Sequence, residues 1–124
     1  MTPIDAQTRQ EIIARVLTAR KDRSTFLAQM KQRQQQGWQV ARKAAQCLKL
    51  EFGAQRVVLF GSLLDHEGMT WYSDIDLAVW GVDASNYLRA GAAIEREQPF
   101  SINLIDPDSA PPHILEAIQQ GTDL

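Results

Sequence analysis

Apolar residues in the first third of the chain recur at helical spacing. Ile12, Ile13, Val16 and Leu17 make one stripe, the pattern of an amphipathic helix. The stripe lapses at Arg20 and resumes with Phe26, Leu27 and Met30. Ser24 could cap a second helix, or one helix could run through; spacing alone permits both. Gln32 to Gln36 is strongly polar and predicts exposure, and Gly37 predicts a break or bend. A further helix then buries Ala41, Ala45, Leu48 and Phe52 and stops at Gly53. At the other end, Thr2-Pro3 predicts an N-cap followed by proline at the first helical position.

The period changes after Gly53. Arg56 to Phe60 is a short β-branched and apolar run, and Ile75 to Trp80 is a second; both predict strands. Gly61 to Ser73 reads as a turn. Asp83 or Ser85 should cap a helix through about Arg96, with Tyr87, Leu88, Ala92 and Ile94 as candidate buried positions. Pro99 ends it. Phe100 to Ile105 predicts a third strand, Asp106 to Pro112 a loop, and Pro112 to about Gln120 a last helix stopped by Gly121. The expected fold is α+β: a small mixed sheet with helices packed on it, preceded by a helical extension.

Chemistry concentrates in Val57-Val58-Leu59-Phe60-Gly61-Ser62 and, ten residues on, Ser73-Asp74-Ile75-Asp76-Leu77. A strand that ends in Gly-Ser must turn sharply, and free backbone N–H groups at such a turn attract phosphate. The Ser62 hydroxyl adds a donor. Asp74 and Asp76 are two apart on a strand, so both side chains leave one face while Ile75, Leu77 and Val79 build core on the other. Adjacent carboxylates repel, and their hard oxygens suit Mg²⁺, which also takes oxygens from a bound phosphate. Either half of this pattern alone is common in proteins that bind nothing.

Together the two halves resemble the signature of minimal nucleotidyltransferases in the DNA polymerase β-like superfamily. Leu-Phe-Gly-Ser and Ser-Asp-Ile-Asp-Leu stand at that family's separation, and the likeness extends over about residues 40–124. It implies a nucleotidyltransferase fold in residues 37–124 with residues 1–36 as an N-terminal extension. It implies that Gly61 and Ser62 hold the triphosphate of ATP or another nucleoside triphosphate, and that Asp74 and Asp76 bind two Mg²⁺ ions. The reaction implied moves a nucleoside monophosphate onto an acceptor hydroxyl and releases pyrophosphate. Small members of the group often act as antitoxins to HEPN-domain toxins, so the acceptor implied is a side chain on such a partner.

Two departures qualify the resemblance. The third carboxylate belongs on a later strand, and the matching segment is Ile102-Asn103-Leu104-Ile105-Asp106, with Asn103 in its place. An asparagine brings no charge and cannot act as a base. The alternative is therefore a catalytically weakened module that still binds nucleotide and partner. Asp106 lies three positions on, toward the other face. The family's Ala-Arg-Gly after Gly-Ser is also replaced, by Leu63-Leu64-Asp65-His66, which leaves His66 as a phosphate contact or a solvated side chain. Trp71 could stack a base or pack over the sheet edge.

Composition adds little to this and removes several alternatives. The 124 residues suit one compact domain. The single cysteine, Cys47, cannot form an internal disulfide and fits a cytoplasmic protein. No apolar run approaches a membrane span. Residues 1–43 hold nine Lys or Arg and three Asp or Glu, whereas the remainder hold four and twelve, so a net charge of −2 hides a basic first third. A solvated helix surface is its simplest explanation. A homo-oligomer through the N-terminal helices is an expected partner arrangement; nucleic acid and membrane are not.

Overall fold

The computed structural model describes residues 5–124. Its elements are α1 (Ala6–Phe52), β1 (Arg56–Phe60), β2 (Ile75–Trp80), α2 (Tyr87–Glu95), β3 (Ile102–Ile105), α3 (Pro112–Gln119) and β4 (Thr122–Asp123). The fold is α+β: three helices pack on a small mixed sheet of four strands, in the order β3-β2-β1-β4. β1 is antiparallel to both β2 and β4, and β2 is parallel to β3.

The first helix is one piece. It runs through Ser24 and through Gly37, where the sequence predicts a break. The reason at Gly37 is packing. A Cβ there would lie 2.6 Å from Leu63 Cδ1, so the absent side chain admits Leu63, which is buried beside the helix. Helix propensity loses about 1 kcal/mol to a mid-helix glycine, and the close approach offsets it. The Thr2-Pro3 cap lies outside the described residues. Within them the N-cap is Asp5, whose carboxylate accepts from Thr8 N at 2.6 Å; that hydrogen bond holds the Asp5 carboxyl below its ordinary pKa.

Alternation divides the sheet into two faces. Val57, Leu59, Ile75, Leu77, Val79 and Ile102 point toward α1 and α2 and form the main core with Met30, Ala41, Ala44, Ala45, Leu48, Ala90 and Ile94. Val58, Phe60 and Ala78 point the other way, under Ile118 of α3. Several expectations change. Leu88 and Ala92 are exposed, and Ala90 takes the buried place beside Ile94. β3 begins at Ile102 rather than Phe100, because Phe100 is buried in the core before the strand starts and Glu95 Oε1 accepts from Ile102 N at 2.8 Å. Arg33 and Gln34, inside the polar stretch, are half-buried. The two-residue β4 was not anticipated; it pairs with β1 and is tied there by Arg56 Nε donating to Asp123 Oδ1 at 2.7 Å.

Gly37→Val should overpack the α1–Leu63 contact. We expect a loss of about 2 kcal/mol, seen as a thermal midpoint lower by roughly 8 °C in a calorimetric or circular-dichroism melt.

Candidate functional site

The site forms where β1 ends and β2 and β3 begin. Ile75 and Leu77 are fully buried under α1, so Asp76 must leave the opposite face. Cross-strand register supplies its neighbours: Phe60 faces Asp76 from β1, and Asn103 faces it from β3. α3 covers Phe60 and Ala78 on this face but leaves Asp74 and Asp76 half-buried and Asn103 exposed.

Asn103 joins the two acids. Its Nδ2 donates to Asp76 Oδ1 at 3.0 Å and, more weakly, to Asp74 Oδ2 at 3.4 Å. One amide thus spends both hydrogens on two neighbouring carboxylates, and its partial positive charge offsets part of their repulsion. In this orientation Oδ1 of Asn103 faces away, so ligation of a cation by Asn103 requires the amide to turn over.

Gly61 closes the other side. It has φ 87 and ψ −155, and a Cβ there would lie 2.6 Å from Asp76 Oδ2. Both the backbone and the carboxylate therefore require glycine. The chain then enters a single 3-10 turn, Ser62–Leu64. Leu64 N donates to Gly61 O and Asp65 N to Ser62 O, so the N–H groups of Ser62 and Leu63 have no partner within the turn. The turn directly follows Gly61, whose Cα lies against the Asp76 carboxylate.

Asp76 carries the electrostatic strain. Burial pushes its carboxyl above the ordinary value, the Asn103 hydrogen bond opposes that shift, and the charge of Asp74 adds to it. Among the described residues no three His, Cys, Asp or Glu side chains gather as a metal cluster. The donor set nevertheless fits a hard cation: two carboxylates supply part of its oxygen shell, and phosphate oxygens and water can supply the remainder. The third side chain at the pair is Asn103, which adds no charge to that set.

Other candidates fall outside this cluster. Asp106 caps the 3-10 turn Pro107–Ser109, accepting from Asp108 N at 3.0 Å and Ser109 Oγ at 3.3 Å, so it does not replace the third carboxylate. His66 is half-buried in a second short turn, His66–Gly68, away from the strand ends that carry the acids. The Trp71 ring is exposed and lies 6.0 Å from the Arg33 guanidinium. Cys47 Sγ donates to Glu51 Oε2 at 3.3 Å, and burial raises its pKa, which keeps it a thiol and a poor nucleophile.

Arg33 is the neighbour that motif spacing misses. From α1 its guanidinium stacks 4.4 Å from the Phe100 ring centroid as well as approaching Trp71. Trp71 precedes Asp74 by three residues and Phe100 precedes Asn103 by three, so one cation–π stack braces both segments that lead into the site. Gln34 Nε2 donates to Leu63 O at 2.9 Å and braces the third. Only the half-polar, half-aromatic character of these positions could have signalled it, and no local pattern does.

No protein-family model matches the chain, and no curated protein does. The resemblance rests on the residues themselves. No helix among the described residues is long and apolar enough to cross a membrane.

The raised carboxyl of Asp76 has a thermodynamic consequence. Because the folded pKa lies above 3.8, its stabilising contribution is complete below that value and is lost as pH rises through the folded pKa. Asp76→Asn should therefore melt higher than the native chain at pH 7 in chelator, and the gap should close as pH falls toward 4. Thermal melts across that range check the sign.

Proposed function

We propose that this chain binds a nucleoside triphosphate with Mg²⁺ at the Gly61–Asp76 site and belongs in mechanism with the nucleotidyltransferases. The observation that carries the reading is convergence: Gly61, the Asp74–Asp76 pair and Asn103, far apart in sequence, meet at one sheet end beside a 3-10 turn. The phosphates would lie against the N–H groups of Ser62 and Leu63, with the Ser62 hydroxyl as a further donor. Asp74 and Asp76 would hold the cation that the triphosphate brings. Bound there, Mg²⁺ supplies charge neutralisation on the phosphate oxygens.

The chain's own residues position rather than react. Asp76 is held against Gly61 and Asn103, so its carboxylate is oriented before ligand arrives. Asn103 can neither accept a proton nor bring charge. Transfer of a nucleoside monophosphate to an acceptor hydroxyl, with a HEPN-domain protein as the candidate carrier of that hydroxyl, would therefore run without the third carboxylate. The specific observation that favours the second reading, a module that binds nucleotide and turns it over weakly, is that Asn103 spends its amide hydrogens on both acids.

Titration calorimetry with ATP and with GTP tests the site. Binding should require Mg²⁺. Asp74→Ala, Asp76→Ala and Gly61→Ala should each weaken it at least tenfold, about 1.4 kcal/mol; unchanged binding in the two aspartate variants refutes the assignment. Incubation with labelled ATP and a HEPN-domain partner separates the two readings. Label transferred by the native chain supports the transferase, and label transferred only by Asn103→Asp supports the binding module.

The same substitution has a stability readout. Asn103→Asp brings a third carboxylate to a cation-free cluster, so in chelator it should melt lower than the native chain. Millimolar Mg²⁺ should raise the midpoint of Asn103→Asp more than that of the native chain.

A further inference from the structure

The first half of α1 leaves the domain. Every residue from Asp5 to Thr25 is exposed, and contact with the core begins at Phe26 and Met30. At about 1.5 Å per residue this is an arm roughly 30 Å long. A lone helix in water is held by little besides its own hydrogen bonds. Yet this one carries an apolar stripe: Ile12, Ile13, Val16 and Leu17 are 47%, 50%, 45% and 58% exposed. At 3.6 residues per turn Ile12 and Val16 fall in line with the face that further along packs Met30, Ala41 and Leu48 into the core, and Ile13 and Leu17 widen the stripe to one side of that line. The packed face thus continues past the end of the domain that covers it.

The stripe reads the same in both directions. Arg9, Ile12, Ile13, Val16, Leu17 and Arg20 are spaced symmetrically about the midpoint between Ala14 and Arg15. A two-fold interface sets residue i against residue j and j against i, so this symmetry lets the apolar positions cover one another. We propose that the arm is a dimerisation element that pairs antiparallel with the arm of a second copy of this chain. In that register Ile13 meets Val16 of the second copy and Ile12 meets its Leu17. Arg23 falls near its Asp5.

Magnitudes set the strength. Four half-exposed aliphatic side chains per copy bury much less than the roughly 800 Å² per partner of a standard stable interface. Arg9 also comes opposite Arg20 of the second copy, a like-charge contact that salt screens. The dimer is therefore weak, dissociating in the micromolar range, and strengthens with added salt. Counting helix rise from the midpoint to Met30 puts the two bodies roughly 45 Å apart along the paired arms. Both copies' Gly61–Asp76 faces stay open, and a partner with two matching surfaces could bind both bodies at once. The pairing does not depend on the function proposed for those faces.

Sedimentation equilibrium of the full chain from 5 to 500 µM tests it. The native chain should pass from monomer to dimer across that range, with more dimer at 0.5 M than at 0.05 M NaCl. Val16→Asp should remain monomeric with an unchanged thermal midpoint, and Leu88→Asp, on the exposed side of α2, should dimerise like the native chain. Orientation is read by disulfide trapping in a Cys47→Ser background. Ile13→Cys mixed with Val16→Cys should cross-link faster than either variant alone. A native chain monomeric at 500 µM overturns the proposal. So do a dimer that survives Val16→Asp, a dimer that weakens with salt, and a cross-linking pattern in which each single variant traps itself fastest.

Discussion

Ile75, Leu77 and Val79 alternate along β2, and all three are buried beneath α1. That burial fixes which way the strand faces. A slip of one residue would drive Asp76 into the core and Leu77 into water, so the register is strongly specified by the apolar set. Everything at the candidate site follows from it. With β2 held this way, pairing to β1 brings Gly61 against the Asp76 carboxylate, and pairing to β3 brings Asn103 across both acids. The site is a by-product of the core's register, and the face that carries it is the one that α3 covers incompletely.

The cluster so formed is not at electrostatic rest. Asp76 is half-buried, sits beside Asp74, and has a raised carboxyl pKa, with burial the largest cause. Asn103 moderates this by donating to both carboxylates. A third carboxylate in its place would complete a cation shell but would add repulsion whenever no cation is present. Asn103 thus exchanges charge for cation-free stability, and that exchange separates the proposed binding from the proposed turnover.

Much of the fold was legible because its signals are local. The apolar runs Val57–Phe60 and Ile75–Trp80, and the stops at Gly53 and Pro99, depend on residues within a few positions. What was not legible depends on contacts made at a distance. Gly37 looks like a break until Leu63 fills the space its side chain would occupy. Leu88 looks buried until the packing of α2 selects Ala90 and Ile94. β4 is two residues long, too short for any pattern, and exists because β1 has a free edge. At the site, Gly61, Ser62, Asp74 and Asp76 stand out by spacing and strand context, whereas Asn103 is singled out only by the resemblance. The stack of Arg33 on Phe100, which links α1 to the segments entering β2 and β3, is not readable, because its members are 67 positions apart.

The cost of the acid pair is itself an argument about use. If this sheet end served only the fold, one carboxylate beside Asn103 would satisfy the amide and avoid the repulsion that Asp74 adds to Asp76. Gly61 carries a second cost, since its positive φ and its contact with Asp76 exclude every larger residue. Neither feature supports the main core, which lies on the opposite face of β2. Local strain of this kind, kept where it does nothing for packing, is the ordinary mark of a binding or reacting site. What relieves paired carboxylates next to open backbone N–H groups is a ligand that brings a cation to the first and an anion to the second. A metal-bound polyphosphate does both at once, and that double complementarity favours it over a bare cation or a bare phosphate.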